Sequence, residues 1–274
     1  VRGPLNVSVM KTSRLIFVSA TILTFVGLAT TGRAADEWAD YQTVGRFEVR
    51  SEVPIRQSQA ISEFVLLLPS LERGITSSLN IRSNNKPIVI NVFQSQQNYQ
   101  KFVAQRAQEG RGRRALFVEA ETHGSVYVYL HEDVLTDLRH ETTHAILHSS
   151  LPFIPLWLDE GLAEYFEVAR EHRASGNPHL RRAKLDARLI LAWHPNLTQL
   201  ERIQNLSAMT TVNYRESWAW VHFLLHGPDE ARAILAGYLA DIEAHDPPGP
   251  LSDRLHRVWP KPERELTSHL KSWK

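Results

Sequence analysis

Cysteine is absent from this chain. Disulfide bridges and thiolate metal sites are therefore excluded, while the compartment stays open. A charge bias is missing as well. Lysine and arginine total 31 against 30 aspartates and glutamates, a formal net charge of +1 over 274 residues. That balance offers no electrostatic footprint for nucleic acid or for an anionic membrane. No low-complexity tract interrupts the chain. Long hydrophobic runs are lacking beyond Leu15 to Ala29, and Ser19, Thr21 and Thr24 break that one. Its length is short for a helix that spans a bilayer.

What is present is an ordinary globular mixture, 43% hydrophobic and 22% charged. The apolar run follows a short basic stretch, Met10 to Arg14, and precedes small residues at Gly32-Arg33-Ala34. This order reads as a secretory signal peptide, residues 1–34, cut after Ala34, with residues 1–9 as an upstream extension. The expected location is periplasmic or secreted, with membrane anchoring only if the signal stays uncleaved. Cleavage would remove four basic residues and no acid, leaving 27 basic against 30 acidic and a net charge of −3. No stable membrane insertion is expected after cleavage.

The chain is organised around Asp137 to Glu167, DLRHETTHAILHSSLPFIPLWLDEGLAEYFE. His140, Glu141 and His144 form an HExxH pattern. On a helix, positions i and i+4 lie about 40° apart around the axis, so both imidazoles leave one face. Two neutral imidazole nitrogens at that spacing can share one Zn²⁺, and the glutamate beside the first can reach an attacking water. Val134, Leu138, Ala145 and Ile146 supply an apolar stripe behind the pair. Pro152 and Pro155 punctuate a turn that folds a second helix back. That helix carries Glu160, a candidate third ligand, and a carboxylate row through Glu164 to Glu167. A solvated surface helix is the competing reading.

HETTH followed by PLWLDEGLAEYFE resembles the gluzincin metallopeptidases, above all exported bacterial proteins of the peptidase-MA-like group. The likeness runs from about residue 47 to about residue 227. It implies zinc as cofactor, His140, His144 and Glu160 as its ligands, and Glu141 as catalytic acid and base. It implies that Glu164, one helical turn after Glu160, holds a metal-bound imidazole by its free N–H, with a solvent-facing Glu164 as the alternative. It implies a peptide or protein substrate, paired with the strand Ser125 to Leu130. It places a tyrosine or histidine donor downstream, here Tyr214, with His222 in reserve and a core role for Tyr214 as the alternative. The gap to Glu160 is shorter than in the aminopeptidase branch, and that branch's G-x-M-E-N element is absent, so aminopeptidase action is not implied. A non-catalytic exported zinc protein with a relict site, and hydrolysis of a non-peptide bond, are the alternative functions.

Other histidines repeat the spacing. His140 and His148 lie about 12 Å apart along a helix axis, too far for bonds of about 2 Å to one zinc. His148 reads as a helix-terminal cation. His222 and His226 in HFLLH have no acid after the first His, so a buried His222 is expected there. Trp157, Trp193, Trp218 and Trp220 read as core.

The pattern predicts an α+β, zincin-like fold. An N-terminal α/β layer, residues 35–131, has about four strands, and a mainly helical half, residues 132–274, carries the metal site. Strands are expected over Arg46 to Val53, Ile88 to Phe93, Ala115 to Glu119 and Ser125 to Leu130. Helices are expected over Gln57 to Leu79 and Ser95 to Gln105. Gln108 to Arg114 reads as a loop, either solvated or lining a groove with its arginines. After the metal helix, capped by Asp133, the pattern predicts a polar loop over Arg173 to Arg182 and short helices over 185–193 and 197–203. A helix over Asn213 to His226 follows, boxed by Asn213 and Glu216, then helices over 229–244 and 251–273.

Overall fold

The computed structural model describes residues 38–106, 112–188 and 193–274. The signal-peptide reading of residues 1–34 lies outside them. The expectation of an α/β layer followed by a helical half holds, with five strands in place of four. The extra strand is β1 (Asp40–Val44), whose polar, mostly exposed residues give no apolar alternation to read. It pairs antiparallel with β2 (Phe47–Ser51). The remaining strands are β3 (Ile88–Phe93), β4 (Ala115–Glu119) and β5 (Gly124–Tyr129). Their order across the sheet is β1-β2-β3-β5-β4. β2, β3 and β5 run parallel, and β4 is antiparallel to β5.

This order corrects the expected substrate strand. β5 has β3 on one side and β4 on the other, so its backbone groups are already paired. β4 is the edge strand on that side of the sheet instead. The two sheet faces follow the period of two. Ile88, Ile90, Val92, Val126 and Val128 enter the main core, while Phe93 enters a second cluster, against which Tyr127 and Tyr129 pack. α1 (Gln59–Leu79) covers the first face through Ile61, Phe64, Leu68 and Ile75. α2 (Gln96–Arg106) covers the second through Tyr99 and Val103.

The helical half begins with α3 (Val134–Ser150), which packs on β4, β5 and α1. Asp133 precedes it but makes no side-chain cap; its carboxylate accepts from Arg114 at 3.0 Å. After the proline turn, α4 (Leu156–Phe166) folds back on α3. α5 (Pro178–Arg188) begins inside the stretch read as loop, because proline suits a first helical position. The rest of the helix expected over 185–193 falls partly on residues 189–192, outside the described set. α6 (Leu197–Leu200) is followed by α7 (Thr211–His226) and α8 (Asp229–Glu243). The cap of α7 is Thr210 with Asn213, a reciprocal box three residues before the expected one. Glu216 is buried instead and accepts from the Asn196 amide at 2.6 Å. The single helix expected over 251–273 is two, α9 (Leu251–Val258) and α10 (Pro262–Ser272), parted at Pro260.

One core joins both halves, since Ile88 and Val126 of the sheet share a cluster with Trp157, Trp218, Val221 and Leu239. Arg46 at the start of β2 pins this junction. It donates to Glu72 of α1 at 2.7 Å, to the Lys86 carbonyl at 3.1 Å and to Ser149 of α3 at 2.8 Å. α4 packs closely on α7. A Cβ at Gly161 would stand 2.7 Å from the Ser217 carbonyl oxygen and 2.9 Å from Val221. Gly161→Ala should therefore destabilise the protein by about 1–3 kcal/mol, the usual cost of overpacking. Gly237→Ala on α8 is the control, with only an Arg254 side chain at 3.8 Å. It should be neutral or stabilising by up to about 1 kcal/mol, since alanine favours helix. Urea midpoints of the two variants check the contrast.

Candidate metal centre

α3 and α4 meet so that His140, His144 and Glu160 converge, with one donor atom from each lying within 4.8 Å of the others. His140 Nε2 lies 3.7 Å and His144 Nε2 3.9 Å from Glu160 Oε2. Donors about 2 Å from a tetrahedral centre stand about 3.3 Å apart, so the set needs only slight contraction around an ion. His144 and Glu160 are buried, and His140 is partly so. Two imidazole nitrogens and one carboxylate oxygen suit zinc and leave a fourth position for chemistry.

The other ring nitrogens are already engaged. His140 Nδ1 donates to Glu167 Oε2 at 2.9 Å, and His144 Nδ1 donates to Asp159 Oδ1 at 2.8 Å. Carboxylates on the far nitrogen fix the tautomer and aim Nε2 at the shared point. The sequence reading gave this role to Glu164. Glu164 instead accepts from His179 Nε2 at 2.7 Å, while staying within the cluster of His140 and Glu167. Of this neighbouring acid pair, Glu164 ionises first. Burial pushes both upward, but the His179 bond brings Glu164 below its ordinary value, while Glu167 stays raised beside it. The signal for Glu167 was the same row of acids on one face; three residues past Glu164, its carboxylate reaches His140.

Asp159 serves two rings. Its Oδ2 accepts from His148 Nε2 at 2.9 Å, and His148 Nδ1 lies 3.3 Å from Glu119 Oε2 on β4. His148 is thus enclosed by two carboxylates as well as standing in the last turn of α3. Burial alone would lower its pKa, but these charges raise it to about 10. Asp159 is held far below the carboxylate range, because the two imidazoles outweigh its burial. Phe117 of β4 stacks on His144 at 6.5 Å with an interplanar angle of 19°. Burial would likewise lower His140 and His144, yet Glu160 and Glu167 at the first and Asp159 at the second raise them. Protons therefore compete with a metal for this site.

Tyr214 stands on the first turn of α7, partly buried. Burial raises its pKa to about 12, and the charges of Glu160, Glu164 and Glu141 add to that. His222, the reserve donor, is fully buried and both its nitrogens are used. Nε2 donates to the Ala174 carbonyl at 2.9 Å, and Nδ1 accepts from His269 Nε2 at 2.9 Å. His226 accepts from the Tyr165 hydroxyl at 2.7 Å. HFLLH is an aromatic latch to α10, with Trp273 donating to the same Ala174 carbonyl at 2.7 Å. The four tryptophans expected in the core are there, Trp193 the most exposed of them at 7%.

No family model and no curated protein matches the chain.

Two expectations follow from this geometry. Glu167→Ala should weaken zinc affinity about 10–100-fold, the usual effect of freeing a ligating imidazole. Glu164→Ala should weaken it less, because its direct partner is His179. Competition against chelators of graded strength separates the two. The second concerns acid. Burial holds His222 down to about 3 and His269 down to about 4, against 6.5 for the ordinary group. Below pH 6.5 the unfolded chain binds more protons at these positions, so stability falls as pH drops through that window. Urea unfolding of metal-free protein at steps from pH 7 to 4 should show this fall, and His269→Gln should make it shallower.

Proposed function

We propose that this protein is a gluzincin-type, zinc-dependent peptide hydrolase with a zincin-like fold, exported from the cytoplasm. The observation that carries the proposal is the convergence of His140, His144 and Glu160, with the far nitrogens of both imidazoles already tied to Glu167 and Asp159. The export part rests on the amino-terminal pattern of residues 10–34. Among the described residues, no helix is long and apolar enough to cross a membrane.

His140, His144 and Glu160 would hold the ion. Bound zinc would lower the pKa of a water and polarise the scissile carbonyl. Glu141 follows His140 on the same helix, and its charge acts on both His140 and Tyr214. It takes the proton of the attacking water and passes it to the leaving amine, as general base and then acid. The Tyr214 hydroxyl, neutral at working pH, donates to the carbonyl oxygen as negative charge develops there. β4 offers an unpaired edge beside α3, to which an extended peptide can add as a further strand.

A broad peptide library incubated with and without chelator tests the proposal, with metal content measured alongside. The unsubstituted protein should carry about one zinc per chain and cleave in a chelator-sensitive manner. Glu141→Gln should keep the zinc and lose turnover, since the amide accepts no proton at neutral pH. Tyr214→Phe should keep zinc and fold while kcat drops about 10²–10³-fold. A zinc-loaded protein that cleaves nothing would be a binding or structural protein with a relict site.

A further inference from the structure

β2 and β3 are adjacent and parallel, and the chain leaves them for opposite faces of the sheet. From β2 it runs into α1 on the first face, and from β3 into α2 on the second. The carboxyl ends of two such strands bound a crevice, the usual ligand position in open α/β sheets. A cavity of about 320 Å³ lies there. Glu52, the residue after β2, and Phe93, the last residue of β3, line it with Asn98, Lys101 and Phe102 of α2 and with Trp38. That volume suits one small molecule. The helix that carries His140 packs elsewhere, since its Leu138 and Ala145 enter the cluster of the first face.

The lining combines fixed rings with two unanswered charges. The rings of Trp38 and Phe93 stand 5.2 Å apart, edge to face, and those of Phe93 and Phe102 5.1 Å apart. Glu52 Oε2 accepts from the Gln94 amide at 2.8 Å and from Asn98 Nδ2 at 2.9 Å, which holds the carboxylate in place. Its Oε1 accepts no hydrogen bond among the described residues. The Lys101 ammonium forms no hydrogen bond or ion pair among them either, with Glu52 or with any other group. By contrast, Glu48 and Arg50, the neighbouring charges on the same face of β2, satisfy each other at 2.6 Å. A lone anion in the cavity would meet Glu52 as well as Lys101, and a lone cation would meet Lys101 as well as Glu52. A ligand carrying both an ammonium and a carboxylate answers both charges. An aromatic ring on that ligand finds an edge or a face on Trp38 and Phe93.

We propose that this cavity is a binding site for a free aromatic α-amino acid, with the ammonium on Glu52 Oε1, the carboxylate on Lys101 Nζ and the ring against Trp38. The inference uses no residue of the metal centre, so it stands or falls apart from the peptide-hydrolase reading.

Calorimetric titration of the unsubstituted protein with L-phenylalanine tests it. Three comparison ligands each lack one feature: phenethylamine the carboxylate, 3-phenylpropionate the ammonium, and L-alanine the ring. Phenylalanine should bind at least about tenfold tighter than each, the scale of one hydrogen bond to a charged group or of one buried ring. Lys101→Met should bring phenylalanine down to the level of phenethylamine while its advantage over 3-phenylpropionate persists. Glu52→Gln should do the reverse, and Trp38→Ala should remove the advantage over alanine. Lys101 is exposed, so its substitution spares the fold and decides the matter where another variant fails to fold. No binding of phenylalanine, or equal binding of all four ligands, overturns the proposal. Binding that Lys101→Met leaves unchanged overturns it too, because the amino acid then sits elsewhere, the metal centre included.

Discussion

The convergence of His140, His144 and Glu160 depends on how closely α4 can lie against α7. Glu160 is followed by a residue with no side chain, and the Ser217 carbonyl oxygen stands where a Cβ would be. That approach lets one short helix turn its acids toward α3 while its other side meets Trp218 and Val221. A larger residue at position 161 would push the two helices apart. The backbone of Glu160 next door would then shift relative to α3, and with it the anchor of its carboxylate.

Burying this many ionisable groups is possible because each one has a partner. His140 has Glu167, His144 has Asp159, His148 has Asp159 and Glu119, and His179 has Glu164. Charged groups removed from water are tolerated when such bonds replace hydration. The arrangement also divides labour within each ring: the nitrogen facing away is fixed by protein, and the nitrogen facing inward stays available. On α7 and α10 the same residue type is handled differently. Among the described residues His222 and His269 form no ion pair with an acid, bond to each other, and are kept neutral by burial.

Much of this was legible in the sequence, and the exceptions share a physical cause. HExxH, the proline turn and Glu160 are local patterns on two helices, so spacing alone brings them together. The buried strand Ile88 to Phe93 announced itself by being apolar on both faces. By contrast, β1 is visible only through its pairing with β2, because its residues are polar and exposed. The interior position of β5 depends on strand order, which no single stretch encodes. Asp159 lies next to Glu160 in the chain, yet its sharing between His144 and His148 needs the angle at which α4 crosses α3. Thr210 displaced Asn213 as the cap because the helix starts one residue after it, a boundary that propensity locates poorly.

The proposed donors have a consequence for the order in which the chain can organise itself. All of them fall between residues 140 and 160, on neighbouring helices joined by a short link. Closing so small a loop costs little entropy. The sheet is built the other way, with β2, β3 and β5 pairing in parallel across intervening helices and a hairpin arm. Such pairings require distant segments to meet first. The site is thus the low-contact-order part of a fold whose scaffold has high contact order: its ligands are neighbours along the chain before the sheet beneath them is complete.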